Sequence, residues 1–166
     1  SEDIVEELQI QPASSDRGLS MGCATYGSII SGLPLPVLNT LSLGLSYGEQ
    51  LIAETLERLS VPFIRSNSTI SELVKYIISG KVVGIISGRS EFGPRALGNR
   101  SILASPRISD MKSILNLKIK FRESYRPFAA ICLEEYASQY FYNCGRTPYM
   151  TDIFTALPHT KETMPS

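Results

Sequence analysis

The sequence predicts an α/β fold built on a mixed, α+β-like sheet. Two observations carry this. After residue 46, stretches with apolar residues at helical spacing alternate with short β-branched runs, the pattern of helices packed on a sheet. The chain is also ordinary in size and composition: 166 residues, 43% hydrophobic and 19% charged. That suffices to bury roughly 70% of the unfolded chain's surface and is too apolar for wholesale disorder.

The elements follow in order. Glu7-Leu8-Gln9-Ile10-Gln11-Pro12 reads as a short strand ending at proline. Ala13-Ser14-Ser15-Asp16 is a turn that offers a helix N-cap, Asp16 among the candidates. Leu19, Met21, Gly22, Ala24, Tyr26, Ile29 and Ile30 predict a helix with small residues, suited to close packing. Gly32, Pro34, Pro36 and Gly44 break residues 27–48. A domain boundary is placed there, giving units 1–46 and 47–166. A helix from Tyr47-Gly48-Glu49 to Leu59 sets Leu51, Ile52, Leu56 and Leu59 on one face. Pro62-Phe63-Ile64 is a short strand, and a second amphipathic helix from Ser68 to Ser79 stops at Gly80-Lys81. Val82-Val83-Gly84-Ile85-Ile86 predicts a buried strand. Ser101-Ile102-Leu103-Ala104 is another strand, and Ser109 to Leu117 a helix. Pro127 to Leu133 reads as a core strand, Glu134 to Phe141 as a short helix, and Tyr149 to Leu157 as a final edge strand.

Composition excludes several classes. Lysine plus arginine and aspartate plus glutamate number 16 each, so the chain is not a general binder of nucleic acid or of membranes. Cys23, Cys132 and Cys144 form no C-x-x-C pair, which argues against a disulfide framework or zinc ribbon and for a reducing, cytoplasmic setting. The single histidine, His159, is expected in an exposed tail. No apolar run reaches the roughly 18 residues of a membrane span, and the acidic start Ser1-Glu2-Asp3 does not read as a signal peptide. The sequence does not begin with Met, and a processed form or a fragment is expected.

Zero net charge conceals segregation. Residues 81–126 hold ten basic and three acidic residues, against six and 13 in the remainder. This favours a small anionic ligand over a uniform solvated surface. Most of the cations fall in two clusters. In 87–101, Arg89, Arg95 and Arg100 are interleaved with Gly88, Gly93 and Gly98 directly after a strand. Glycines let backbone N–H groups approach a ligand, and arginine grips phosphate or carboxylate oxygens in bidentate fashion. The competing reading is a turn-rich loop whose arginines pair with Glu91 and other acids. In the second cluster, Lys120 and Arg122 project to one side if extended, and Arg126 precedes the core strand. Convergence of the two would make a phosphate pocket.

These residues carry a resemblance. Gly88-Arg89-Ser90-Glu91-Phe92-Gly93-Pro94-Arg95-Ala96-Leu97-Gly98-Asn99-Arg100-Ser101-Ile102-Leu103-Ala104 resembles the central motif of O-carbamoyltransferases of the NodU/CmcH/TobZ type. Lys120-Phe121-Arg122-Glu123-Ser124-Tyr125-Arg126-Pro127-Phe128-Ala129 resembles that family's second motif, and Pro12-Ala13 with Asp16-Arg17-Gly18-Leu19 an earlier segment. The resemblance implies that 1–46 is the tail of an ASKHA-like carbamoyl-transfer domain and that 47–166 is a truncated YrdC-like domain. It implies that carbamoyl phosphate and ATP, with Mg2+, form carbamoyl-adenylate here, and that a hydroxyl of a small metabolite or sugar accepts the carbamoyl group. Arg89, Arg95, Lys120 and Arg122 are then the catalytic candidates, with Asn99, Arg100, Ser101 and Arg126 completing the substrate- and nucleotide-binding set. Asp16 is a candidate metal ligand, for Fe2+ in the complete transfer domain. The expected partners are these small molecules and the rest of the parent chain, with oligomers left open and neither membrane nor nucleic acid among them. The piece alone is expected to turn over poorly. The rival reading is a non-catalytic YrdC-like module that binds nucleotide or RNA phosphate. Thin aromatic interleaving, with Phe92, Phe121 and Tyr125 only, speaks against it.

Overall fold

The three helices expected over 19–30, 47–59 and 68–79 form. The computed structural model describes residues 10–35 and 37–166. A 3-10 turn, Asp16–Gly18, leads into helix α1, Leu19–Ile30. Helices α2, Glu49–Arg58, and α3, Thr69–Ile78, follow. All three end in the same way. The N–H of Gly32, Ser60 or Gly80 bonds back to Ile29, Glu57 or Ile77, and the next N–H reaches Ser28, Leu56 or Tyr76. This is the Schellman closure, which needs a left-handed residue after the cap. Glycine supplies it at Gly32 (φ 64°) and Gly80 (φ 83°), but α2 uses Ser60 at φ 54°. Ser60→Gly therefore stabilises the protein by about 0.5–1 kcal/mol, read as a rise in the urea midpoint; an unchanged or lower midpoint contradicts it.

Strand β1, Val83–Ile86, pairs antiparallel with β2, Arg100–Leu103, in the register Val83↔Leu103 to Ile86↔Arg100. The two form a hairpin, and α3 packs against β1. Helix α4, Met111–Ile114, continues into a π-helical turn, Leu115–Ile119. A 3-10 stretch, Glu134–Gln139, and helix α5, Pro158–Thr163, complete the elements. The whole is a helical fold with a small antiparallel sheet, consistent with the α/β class.

Several expected strands do not form. Residues 62–64 and 127–132 have no backbone hydrogen-bond partner among the described residues, and Ile64 and Ile131 are exposed. Hydrophobic, β-branched sequence favours an extended backbone, but a strand exists only where a neighbour supplies N–H and C=O groups. The final strand shrinks to a bridge between Phe141 and Ala156. Residues 7–9 of the first expected strand lie outside the described residues, and Ile10 and Gln11 belong to no strand. The 82–86 strand is not buried either. Its residues alternate between half-buried and exposed, and Ile86 is 78% exposed. His159 is exposed as expected but sits on α5 rather than in a tail, and Thr160 beside it is buried with its hydroxyl donating to the Tyr140 carbonyl.

Among the described residues the buried apolar side chains are Ala13, Leu41, Ala53, Met111, Leu115 and Ala137. The core is thus divided into small patches, two of which adjoin the cationic segments. Ala13 lies under Gly93, where a built Cβ would meet the Ala13 methyl at 3.6 Å. Met111 and Leu115 lie just before Asn116 in the same helical segment, and all three are buried.

Candidate functional site

The first cationic cluster is the loop of the β1–β2 hairpin. Ser87 N–H donates to Asn99 carbonyl at 2.9 Å and extends the pairing by one step. The loop between them turns through left-handed glycines, Gly88, Gly93 and Gly98, at φ 55°, 107° and 113°, where a β-carbon would be strained. Its acid, Glu91, organises it from within. One carboxylate oxygen, Oε1, accepts the backbone N–H groups of Leu97 (2.8 Å), Asn99 (2.7 Å) and Arg100 (3.3 Å). Ser101 Oγ accepts from the Gly98 N–H at 2.9 Å.

A strap formed by 41–45 lies along this loop, across the expected boundary at residue 46. Phe92 N–H donates to Leu41, Gly44 N–H to Ser90, and Ser90 N–H to Leu45. The approach at Gly44 is close: a Cβ there would lie 2.7 Å from Ser90 Cβ. Two arginines hold the strap. Arg89 Nε donates to the Gly44 carbonyl at 2.9 Å and its Nη2 points to Leu43. Arg100 Nη1 donates to the Ser87 and Asn99 carbonyls, and Nη2 to Gly88 and Leu45. Asn99 Nδ2 donates to Ser42 Oγ and to the Arg89 carbonyl. Arg95, exposed at the loop's outer turn, has no hydrogen bond or ion pair among the described residues.

The competing picture of arginines neutralised by Glu91 is not what forms. Among the described residues no carboxylate ion-pairs with Arg89, Arg95 or Arg100. Burial pushes the Glu91 carboxyl up, but the N–H groups of Leu97, Asn99, Glu91 itself and Arg100 together outweigh it and hold the group below the ordinary 4.5. The folded value is depressed, so the stabilisation is complete above the unfolded value and disappears as pH falls through the folded one. Below about pH 4.5, wild type therefore loses stability relative to Glu91→Gln. Denaturant midpoints for both proteins from about pH 6 to about pH 3 check it; parallel curves refute it.

The second cluster is built around a residue that the sequence reading passed over. Asn116, in the π-helical turn, is fully buried at 0% exposure. Its Nδ2 donates to the carbonyls of Ser124 (3.2 Å) and Arg126 (3.0 Å), and its Oδ1 accepts from Arg122 Nε at 2.7 Å. The Arg122 N–H bonds to the Asn116 carbonyl, and the guanidinium lies 4.6 Å over the Phe128 ring. Position and plane of Arg122 are thus both set, while its terminal nitrogens make no bond among the described residues. The extended arrangement expected here is corrected. Lys120 is helical in conformation and Phe121 is left-handed at φ 49°, so the alternation of an extended strand does not apply. Arg126 makes an exposed 3.9 Å ion pair with Glu123, a weak attachment in water. Lys120 is exposed and unpaired among the described residues.

No hydrogen bond or ion pair among the described residues joins the two clusters. An open depression borders Leu117, Phe121, Arg122 and Glu123. A larger groove runs beside Ala13, Leu19, Met21, Tyr26 and Ile29, lined by no cation. The signals for the missed residues were present: an asparagine amid Ile114-Leu115-Asn116-Leu117, and an acid inside a glycine-rich loop. Asp16 is exposed in the first turn, with Ser15 rather than Asp16 as N-cap. Among the described residues no three His, Cys, Asp or Glu side chains come together as a metal site. This donor set does not fit an iron centre by itself, and no step is assigned to a metal.

Both clusters fall inside the segment 74–166 that matches the family model described as carbamoyltransferase C-terminus. The chain belongs to this family. It is 41% identical over 143 residues to nodulation protein NolO of Bradyrhizobium diazoefficiens, covering 83% of this chain and 26% of that protein. Against nodulation protein NolNO of Sinorhizobium fredii, identity is 39% over 144 residues, again 83% of this chain and 21% of the relative. Nodulation protein U of the same species is 52% identical over 94 residues, 56% of this chain and 17% of its own length. The chain therefore spans about a quarter of the length of the NolO and NolNO proteins it matches.

Proposed function

We propose that this chain is the part of an O-carbamoyltransferase that binds carbamoyl phosphate and ATP, in a YrdC-like arrangement, and forms carbamoyl-adenylate. The observation that carries the reading is the arginine-bearing hairpin loop, whose one acid is engaged by backbone N–H groups. Its positive charge is thereby left for a ligand. Arg95, Lys120 and the open edge of Arg122 are the groups with donors to offer. Arg89, Asn99, Arg100 and Ser101 shape the loop that presents them. Phosphate-bearing substrates need such charge-assisted donors, both to bind and to stabilise charge on the leaving group. Water releases inorganic phosphate from carbamoyl phosphate to leave carbamate, and a carbamate oxygen displaces pyrophosphate from ATP, which arrives with Mg2+. A hydroxyl of a small metabolite or sugar then takes the carbamoyl group and releases AMP with the help of the rest of the parent chain, where iron would belong.

The test uses the full-length protein with carbamoyl phosphate and ATP. Carbamoyl-adenylate and pyrophosphate should appear together, and carbamoyl phosphate should compete for the site. Displacement of ATP by RNA with none by carbamoyl phosphate would instead support a non-catalytic phosphate-binding module.

A further inference from the structure

We infer that Glu91 is a positioning residue: it clasps the hairpin loop shut and so holds Arg95 out toward the anionic substrate. The inference rests on the substrate reading above and adds a role to a residue to which that reading gives no part in binding. The geometry is specific. Glu91 Oε1 gathers three N–H groups from Leu97, Asn99 and Arg100, six to nine residues downstream. This closes a ring of backbone from 91 to 97, with Pro94-Arg95-Ala96 at its outer turn. Gly93 and Gly98, both left-handed, flank the turn. The ring is anchored below, because Phe92 N–H is bonded to Leu41 and Gly93 rests on Ala13. Arg95 has no partner of its own to fix it among the described residues. Its placement therefore comes from the backbone that carries it, and Glu91 is what defines that backbone. A carboxylate suits the task because it only accepts, and its charge strengthens each of the three bonds.

The test is a double-mutant cycle in the full-length protein, read as kcat and KM for carbamoyl phosphate. R95A is expected to raise KM about tenfold or more, and E91A to match it with a smaller change in kcat. The double variant should be no worse than either single one, because Arg95 without its clasp is already lost. E91Q keeps an oxygen acceptor and should recover KM to within about threefold of wild type. E91A should also speed hydrogen exchange at the Leu97 and Asn99 amides, whereas R95A should leave it unchanged. If the losses multiply in the double variant, or E91A binds like wild type while R95A is impaired, the positioning role is wrong and the substrate reading stands. If R95A itself has wild-type KM, the loop does not meet the substrate and both fall.

Discussion

If the parent protein forms carbamoyl-adenylate as proposed, Arg122→Ala in the full-length protein should lower kcat/KM for that step by about 30- to 800-fold, equivalent to about 2–4 kcal/mol of transition-state stabilisation. The magnitude follows from how firmly this guanidinium is held. Asn116 Oδ1 takes its Nε at 2.7 Å, and Phe128 supports its face at 4.6 Å. A group held in this way loses little freedom when it meets an oxyanion, so its donors act at close to full strength. Arg122→Lys should recover only part of the rate. Lysine has no planar fork to bind asparagine, lie over the ring and still present a second pair of donors. Steady-state rates of pyrophosphate release check this, and a wild-type rate in the alanine variant would remove Arg122 from the site.

The second large effect falls on stability. Asn116→Leu, close in volume, should cost about 2–4 kcal/mol. The side chain is fully buried, and it closes three bonds with Ser124, Arg126 and Arg122. Leucine leaves two carbonyls and one charged N–H, all in part-buried bonds, without their partner, and a partly buried polar group left unpaired costs more than its hydrogen bond contributes. Asn116→Asp should fail in its own way, since a carboxylate can accept from Arg122 but cannot donate to the two carbonyls. Denaturant unfolding measures both, and a loss below about 0.5 kcal/mol for the leucine variant would refute the assigned role. Segment 122–128 should loosen with it, linking this stability effect to the rate effect at Arg122.

What the sequence by itself determined is largely local. Helices over 49–58 and 69–78 were legible because their hydrogen bonds close within four residues and their apolar spacing repeats every 3.6, and that over 19–30 from its run of small and apolar residues. Gly80 announced the end of α3 for the same reason, and two clusters of cations could be read from residue type and proximity in the chain. The tertiary structure decided what those cations touch. Arg89 reaches a carbonyl 45 residues away and Arg100 one 55 residues away, partners that no local pattern can name. It also decided that 62–64 and 127–132 have no neighbour to pair with among the described residues, since a strand's bonds lie outside its own segment. Glu91 looked like a counter-charge and is a backbone clasp, because three N–H groups reach it and, among the described residues, no guanidinium pairs with it. Asn116 looked like an ordinary polar residue in a helix, and only the fold shows it to be buried with every polar atom engaged. Local bonds are written in the order of residues, whereas burial and long-range pairing depend on which surfaces the whole chain brings together.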